Sequence, residues 1–317
     1  MTLFEQLASL QTEAVNPHTT EIDLASTKDV VAMLHAEDRT VADAVGLVLA
    51  EIAEAVDIVV AGFKKGGRLI YIGAGTSGRL GVVDASEMPP TYGTQPDMVQ
   101  GLIAGGPNAV FRSVEGAEDS PQLAIEALNS ISLRPFDVVC GITASGRTPF
   151  VLGGLQYAAS IGCQTILIST NPLEAPGPES RSSVTFQPLL ICPVVGAEPI
   201  TGSTRMKSGT AQKMVLNMIS TASMVRMGKT YGNVMVDLQL TNEKLKERAK
   251  GIVMSLGGVN YEESEQLLDR ASGSVKTALV MSALNCSPEE AEQRLQAAHG
   301  FVRKALSTKP QSLGPNE

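Results

Sequence analysis

The chain contains few aromatic residues and few histidines, and both shortages exclude classes of function. It has no tryptophan, and aromatic residues make up only 4% of the sequence. Base stacking on aromatic rings is a main mode of nucleic-acid binding, and a formal net charge of −8 disfavours such a partner further. The three histidines, His18, His35 and His299, lack the spacing of metal ligands. We therefore expect no nucleic-acid partner and no metal site.

Cysteine pairs and long apolar runs are also missing. The four cysteines are widely separated along the 317 residues and form no CxxC pair, which is typical of reduced thiols in a cytosolic protein. The first residues lack the basic and apolar segments of a signal peptide. No apolar run reaches the ~18 residues that a membrane-spanning helix needs. These absences predict a cytoplasmic protein without membrane contact.

The most informative segment that is present is the glycine-rich loop Gly73–Gly78. It follows an apolar strand-like run and opens a helix-like run, an arrangement that binds anions at the helix N-terminus. The spacing also fits a dinucleotide fingerprint, but the next strand candidate, Met98–Ala104, ends in Gly105-Gly106 instead of an acidic residue. The loop carries the hydroxyls of Thr76 and Ser77. It therefore favours a sugar phosphate over a dinucleotide.

A second hydroxyl-rich loop, Thr143–Pro149, again lies between a strand-like and a helix-like run. Any single serine or threonine here fits helix capping, but two such loops at neighbouring strand ends favour one shared phosphate site. The predicted phosphate-binding residues are Thr76, Ser77, Gly78, Thr143, Ser145 and Thr148.

Strand-like and helix-like runs alternate between residues 66 and 240. The strand-like runs are Leu69–Ile72, Met98–Ala104, Asp137–Ile142, Thr165–Ser169 and Leu189–Cys192, and the helix-like runs are 78–87, 120–131, 149–161 and 205–227. Short apolar strands between helices predict an α/β fold with a doubly wound parallel five-stranded sheet. Ligands of such sheets bind beyond the carboxyl ends of the strands, where both loops lie.

Helical segments flank this predicted domain on both sides. Residues 1–65 contain helical patterns at 27–37 and 40–65, and we expect them to pack on the core. Residues 241–308 contain four short helical runs, at about 241–253, 260–269, 273–284 and 287–297, and predict a small all-helical domain. Residues 309–317 form a tail. The domain boundaries predicted from sequence are thus 1–65, 66–240 and 241–308.

Two acidic residues are candidates for acid–base chemistry, although most glutamates are merely exposed. Because Pro89 disfavours helical geometry before it, the helix after the glycine loop is expected to end near Glu87. Glu118 precedes a helix that begins at Pro121. Glu87 is thus expected at the negative end of one helix and Glu118 at the positive end of another. Electrostatic fields of opposite sign shift the pKa values of the two carboxyls apart, which suits one as an acid and the other as a base. Ten helical residues separate Ser77 from Glu87, about 15 Å, so either the helix bends or Glu87 serves a neighbouring subunit.

Three cations near these loops are candidate substrate contacts. Arg79 follows the glycine loop directly, and Arg205 and Lys207 lie in a stretch between Glu198 and Asp237 that contains no acidic residue. Such a stretch fits a solvated helix face as well as a region beside an anionic ligand.

Five segments together resemble one known family. They are Gly73–Gly81, Asp84–Glu87 with Pro89-Pro90, Gly101–Gly106, Glu115–Asp119 and Thr201–Lys207. The combination resembles the N-acetylmuramic acid 6-phosphate etherases, which have the sugar isomerase (SIS) fold, and the resemblance covers roughly residues 10 to 300. The glycine loop alone fits any sugar isomerase domain.

The resemblance implies a lyase of amino-sugar and peptidoglycan recycling that releases D-lactate and N-acetylglucosamine 6-phosphate. It implies Glu87 as the proton donor and Glu118 as the second catalytic acid, without a cofactor. Glu118 then removes the C2 proton of the open-chain sugar, lactate leaves from C3, and water adds. The resemblance further implies a homodimer with sites near the subunit interface and a C-terminal unit of the ubiquitin-associated type.

Three other readings fit parts of the pattern. An aldose–ketose isomerase on the same fold would take the same proton but keep the C3 substituent. A non-catalytic sugar-phosphate sensor would keep Ser77 and Ser145 without needing the two acids. A glycosidase with paired carboxylates accords poorly with the phosphate loops and the scarcity of aromatic residues.

Overall fold

The computed structural model describes residues 10–173, 186–240 and 242–307, so the predicted tail at residues 309–317 lies outside the described part. The chain divides into two compact units. One comprises Met1–Ser86 with Pro96–Thr221, and the other comprises Glu87–Gln95 with Ala222–Glu317. Their boundary after residue 221 differs from the predicted one at residue 240.

A five-stranded parallel sheet forms the centre of the first unit. Its strands are β1 (Leu69–Gly73), β2 (Val99–Ile103), β3 (Val138–Ile142), β4 (Gln164–Ile168) and β5 (Leu189–Ile191). They lie in the order β2-β1-β3-β4-β5, which confirms the predicted doubly wound sheet. Strand order reverses between β1 and β3, and ligands of open parallel sheets bind beyond the carboxyl ends at such a point. The two hydroxyl-rich loops follow these two strands.

Helices cover both faces of this sheet, which explains why its strands are apolar without interruption. The helices that begin in the first unit are α1 (Thr27–Gly46), α2 (Leu49–Lys64), α3 (Gly75–Tyr92), α4 (Pro121–Ser130), α5 (Pro149–Ile161) and α6 (Lys207–Arg226). Ile70, Val139 and Leu167 pack in one core with Leu128 of α4 and Leu155 of α5. On the opposite face, α3 approaches the sheet at Gly81. A Cβ added there would lie 2.8 Å from the Cβ of Tyr71.

The break between the first two helices lies later than the sequence pattern predicts. A single helix runs from Thr27 to Gly46, whereas we expected an interruption near residues 38–39. That expectation was wrong because no glycine or proline occurs there, and polar residues on an exposed face do not end a helix. The chain instead turns after Gly46, and the last turns of the helix before it bury Val41 and Val45.

Helix α3 does not end near Glu87, as predicted from Pro89, but continues through Pro89 and Pro90 to Tyr92. Each proline removes one backbone donor, a cost that usually breaks a helix interior. Here Met88 and Tyr92 are buried, and their packing favours continuation of the helix. Glu87 is therefore an exposed residue within the helix and not at its negative end.

The second unit contains the predicted helices of the C-terminal region and a short hairpin. The helices are α7 (Glu243–Gly257), α8 (Tyr261–Arg270), α9 (Val275–Leu284), α10 (Pro288–Ala297) and α11 (Val302–Ser307), and the hairpin strands are β6 (Thr230–Tyr231) and β7 (Val234–Met235). Ser287 caps α10, since its hydroxyl accepts from the amide of Glu290. Val236 and Leu238 pack in the same core as these helices, so chain before residue 240 belongs to this unit. Within the described residues, no helix is both long and apolar enough to cross a bilayer.

Candidate active site

The glycine loop connects β1 to α3 through a very close backbone approach. A Cβ on Gly78 would lie 2.6 Å from the carbonyl oxygen of Gly73, so both positions require glycine. Gly75, the first residue of α3, has φ of +54°, a conformation that side chains disfavour. The loop therefore brings the N-terminus of α3, with its free amides and positive dipole end, to the carboxyl end of β1.

Ser77 lies in the first turn of α3 and is held by a residue that the sequence did not single out. Its Oγ is 2.9 Å from Oε1 of Gln212, to which it donates, and both side chains are buried. The Nε2 atom of Gln212 is also buried and has no partner among the described residues. Thr76 lies beside Gly209, whose added Cβ would be 3.4 Å from Thr76 Cγ2. Helix α6 thus contacts the glycine loop at two positions and holds the Ser77 side chain.

The second loop holds its hydroxyls together at the carboxyl end of β3. The Oγ1 atoms of Thr143 and Thr148 lie 2.8 Å apart, and Ser145 Oγ is 3.4 Å from Thr143 Oγ1. The amide of Arg147 donates to Ser145 Oγ at 3.2 Å. Thr148 occupies the N-cap position of α5, yet its side chain makes no capping bond. The capping explanation therefore fails for Thr148, and its hydroxyl stays in the cluster.

Asn171, after β4, fixes the backbone of this second loop. Its Nδ2 donates to the carbonyl oxygen of Ala144 and to Thr12 Oγ1, each at 3.0 Å, and its Oδ1 accepts from the amide of Gln11 at 2.7 Å. The side chain is 1% exposed. Asn171 connects the N-terminal segment to the loop, a role that no local sequence signal indicates.

Glu118 lines a cavity of about 200 Å³ beside the glycine loop. Ala74 and Gly75 from the loop and Arg79 from the first turns of α3 line the same cavity. Glu118 lies in a short 3-10 turn, Ala117–Asp119, just before α4. The expected start of α4 is correct, because Ser120 caps it through the amide of Leu123. The structure thus brings one predicted catalytic acid and one predicted cation to the glycine loop.

Glu87 is not among the described residues that line this cavity. It lies ten residues after Ser77 on α3, a rise of about 15 Å along the helix. Because the helix continues beyond Glu87, the expectation that it ends there is not met. The catalytic role predicted for Glu87 stays a prediction.

Lys207 and Arg205, the other predicted cations, have different surroundings. Lys207 is buried, and its Nζ donates to Glu37 Oε2 at 2.7 Å and to the carbonyl oxygen of Ala197 at 3.1 Å. Burial raises the pKa of Glu37, but hydrogen bonds from Lys207, His18 and Asn16 outweigh it and lower that pKa to about 2. Lys207 lines a separate cavity of about 400 Å³. Arg205 is exposed. Substrate contact by either cation stays a prediction.

The N-terminus of α6 is capped by a fully buried acid that sequence reasoning missed. Glu198 accepts from the amide of Lys207 at 2.8 Å and from the amide of Ser208 at 2.9 Å. An acid nine residues upstream does not match the local pattern of a helix cap. Only the folded chain brings it to the helix end, where its charge meets the positive dipole.

The chain is similar to known proteins over most of its length. The model of the glucokinase regulatory protein N-terminal SIS domain matches residues 51–159. Among solved structures, phosphoheptose isomerase GmhA from Neisseria gonorrhoeae is similar at 13% identity and a TM-score of 0.42, over 62% of this chain and 98% of that one.

Curated relatives are far more similar. The N-acetylmuramic acid 6-phosphate etherase of Salinibacter ruber is 54% identical over 88% of this chain and 88% of its own. The protein of the same name from Clostridium beijerinckii is 51% identical over 86% of this chain and 88% of its own. At this identity over nearly the whole length, the chain belongs to the N-acetylmuramic acid 6-phosphate etherase family.

Proposed function

We propose that this protein cleaves the D-lactyl ether of N-acetylmuramic acid 6-phosphate, using Glu118 as the base and Glu87 as the acid. As a member of the etherase family it acts on this sugar phosphate and yields N-acetylglucosamine 6-phosphate and D-lactate. One observation carries the assignment of the base: Glu118 lines a cavity together with Ala74 and Gly75 of the glycine loop. Such a reaction belongs to the recycling of peptidoglycan sugars.

The substrate phosphate binds between the two loops in this proposal. The free amides at the N-termini of α3 and α5 supply donors and positive dipole ends. The hydroxyls of Ser145 and Thr148 add further donors, with Thr143 fixing Thr148, and the Ser77 hydroxyl becomes a donor when it turns from Gln212 Oε1 to the phosphate. Because the phosphate is remote from the bond that breaks, its binding energy orients the reacting carbons against Glu118.

The reaction begins at C2 of the open-chain sugar, where the adjacent aldehyde makes the proton acidic. Glu118 takes that proton, and the electron pair of the C2–H bond forms the C2–C3 double bond as the C3–oxygen bond breaks. Glu87 protonates the departing lactate oxygen. Water then adds across the double bond, placing its hydroxyl on C3 and a proton on C2. No redox step occurs.

The position of Glu87 on α3 supports a dimeric site. Glu87 is exposed, and about 15 Å of helix separates it from Ser77, a long distance for one small sugar. A homodimer in which Glu87 reaches the site of the partner subunit removes this difficulty. We therefore place the acid and the base of each site on different subunits of a cytoplasmic homodimer.

Lactate release in heavy water tests the reaction. We expect wild-type protein to release D-lactate and to incorporate deuterium at C2 of the sugar product. Glu118→Ala should abolish both release and exchange, whereas Glu126→Ala, an exposed acid on α4, should leave both unchanged. Wild-type turnover in Glu118→Ala would contradict the assignment of the base. An isomerase would yield a ketose that retains the lactyl group, so the product alone separates that alternative.

Mixing two inactive variants tests the dimeric site. Glu87→Ala and Glu118→Ala are each inactive alone, but a mixed dimer retains one intact site if the acids come from different subunits. After subunit exchange, equal amounts should regain about a quarter of wild-type activity. If both acids came from one subunit, no mixed dimer would be active, so zero recovery in dimers proven to be mixed contradicts this arrangement.

A further inference from the structure

Arg79 is the one cation among the described residues that line the Glu118 cavity. The other charged residues lining it are Glu115 and Glu118. An anionic group of the substrate entering this cavity therefore meets two carboxylates and a single guanidinium. Without Arg79, only the backbone amides at the N-terminus of α3 would offset the two carboxylates toward an anion in this cavity.

The guanidinium of Arg79 is fixed at one atom and free at the others. Its Nε donates to the carbonyl oxygen of Val110 at 2.9 Å, and the side chain is half-buried. The structure shows no hydrogen bond or ion pair from its Nη1 and Nη2 to any of the described residues, Glu118 included. A guanidinium held by Nε keeps its plane, and the two remaining nitrogens form a fork that suits a carboxylate.

The connectivity of the substrate places a carboxylate close to the atom that Glu118 attacks. The lactyl carboxyl carbon is four covalent bonds from C2, through C3 and the ether oxygen. The phosphorus atom is six bonds from C2 and is bound by the loops in the proposed function. When C2 lies at Glu118, the lactyl carboxylate therefore falls in the same cavity, while the phosphate lies farther away.

We infer that Arg79 binds the lactyl carboxylate of the substrate and so selects the ether substrate over sugar phosphates that lack it. This inference rests on the proposed function, because it takes C2 to lie at Glu118. The product N-acetylglucosamine 6-phosphate has no carboxylate, so Arg79 loses its ligand when lactate departs. Arg79 contributes to recognition of the substrate and not to that of the sugar product.

A cycle of two enzymes and two substrates tests this inference. The substrates are N-acetylmuramic acid 6-phosphate and its lactamide analogue, in which a neutral amide replaces the carboxylate. We expect wild-type protein to lose about tenfold to a hundredfold in kcat/KM on the analogue. Arg79→Gln should show a similar loss on the natural substrate but little further loss on the analogue. Arg79→Lys, which keeps the charge without the fork, should fall between them.

Two controls define what would overturn the inference. Arg112→Gln removes an exposed arginine of the same region that does not line the cavity, and it should behave as wild type. Inhibition by N-acetylglucosamine 6-phosphate should be equal in wild-type and Arg79→Gln protein. Equal losses on both substrates in Arg79→Gln would assign Arg79 a structural role, and weaker product inhibition would assign it to the phosphate. Either result overturns the inference while leaving lactate release by wild-type protein, and hence the proposed function, intact.

Discussion

The buried ion pair between Lys207 and Glu37 allows a sharp prediction. Both side chains are almost fully buried, at 5% and 7% exposure, and Nζ lies 2.7 Å from Oε2. Lys207→Met leaves the Glu37 carboxylate buried without its ammonium. Removing one partner of such a pair costs about 3–5 kcal/mol, because the remaining charge stays desolvated. We expect a loss of this size in urea unfolding at neutral pH.

The same pair predicts an acid-dependent loss of stability. Lowering the pKa of Glu37 from 4.5 to about 2 corresponds to about 3.5 kcal/mol of stabilisation, at about 1.4 kcal/mol per pKa unit. Since the folded state binds this proton less readily than the unfolded state, the stabilisation is complete above pH 4.5. It falls as the pH drops from 4.5 toward 2. Glu37→Gln cannot ionise, so its stability should fall less steeply than that of wild type.

Combining the two substitutions in one protein distinguishes the loss of an ion pair from a general disruption of packing. In Glu37→Gln/Lys207→Met no uncompensated charge remains, so the double variant should be more stable than Lys207→Met alone. The exposed pair of Glu243 and Lys246 supplies the control, and Lys246→Met should leave the unfolding midpoint nearly unchanged. A cost below about 1 kcal/mol for Lys207→Met, or equal acid sensitivity in Glu37→Gln and wild type, would refute this account.

Three further predictions concern the two loops. Ser77→Ala and Gln212→Met should each raise KM for the sugar phosphate. Because Gln212 acts through the Ser77 hydroxyl, the two effects should not add in the double variant, and additive effects would contradict this role. Gly78→Ala should cost about 1–3 kcal/mol in urea unfolding and weaken binding of inorganic phosphate, because its Cβ would press on the carbonyl of Gly73. Asn171→Ala should lower the free energy of unfolding by about 1–3 kcal/mol because it leaves buried groups unpaired, whereas an unchanged denaturation midpoint would contradict that role.

Helix ends show where sequence reasoning failed. The start of α4 at Ser120 and of α10 at Ser287 follows from capping chemistry within four residues, and both predictions are correct. The end of α3 was predicted from proline chemistry alone, and this failed because burial of Met88 and Tyr92 outweighs the local cost. Local rules predict well only where no tertiary contact competes with them.

The sequence by itself determined the parallel sheet, the order of its elements along the chain and the two hydroxyl-rich loops that follow β1 and β3. These features depend on short-range chemistry: apolar strand runs, glycines at a tight turn, and hydroxyls at helix starts. Only the tertiary structure decided which groups meet. Ser77 and Gln212 are 135 residues apart, and Glu37 and Lys207 are 170 apart, yet each pair is in hydrogen-bond contact. The same holds for Arg79 and Glu118, whose shared cavity arises because the strands and the connections between them fold back to one edge of the sheet.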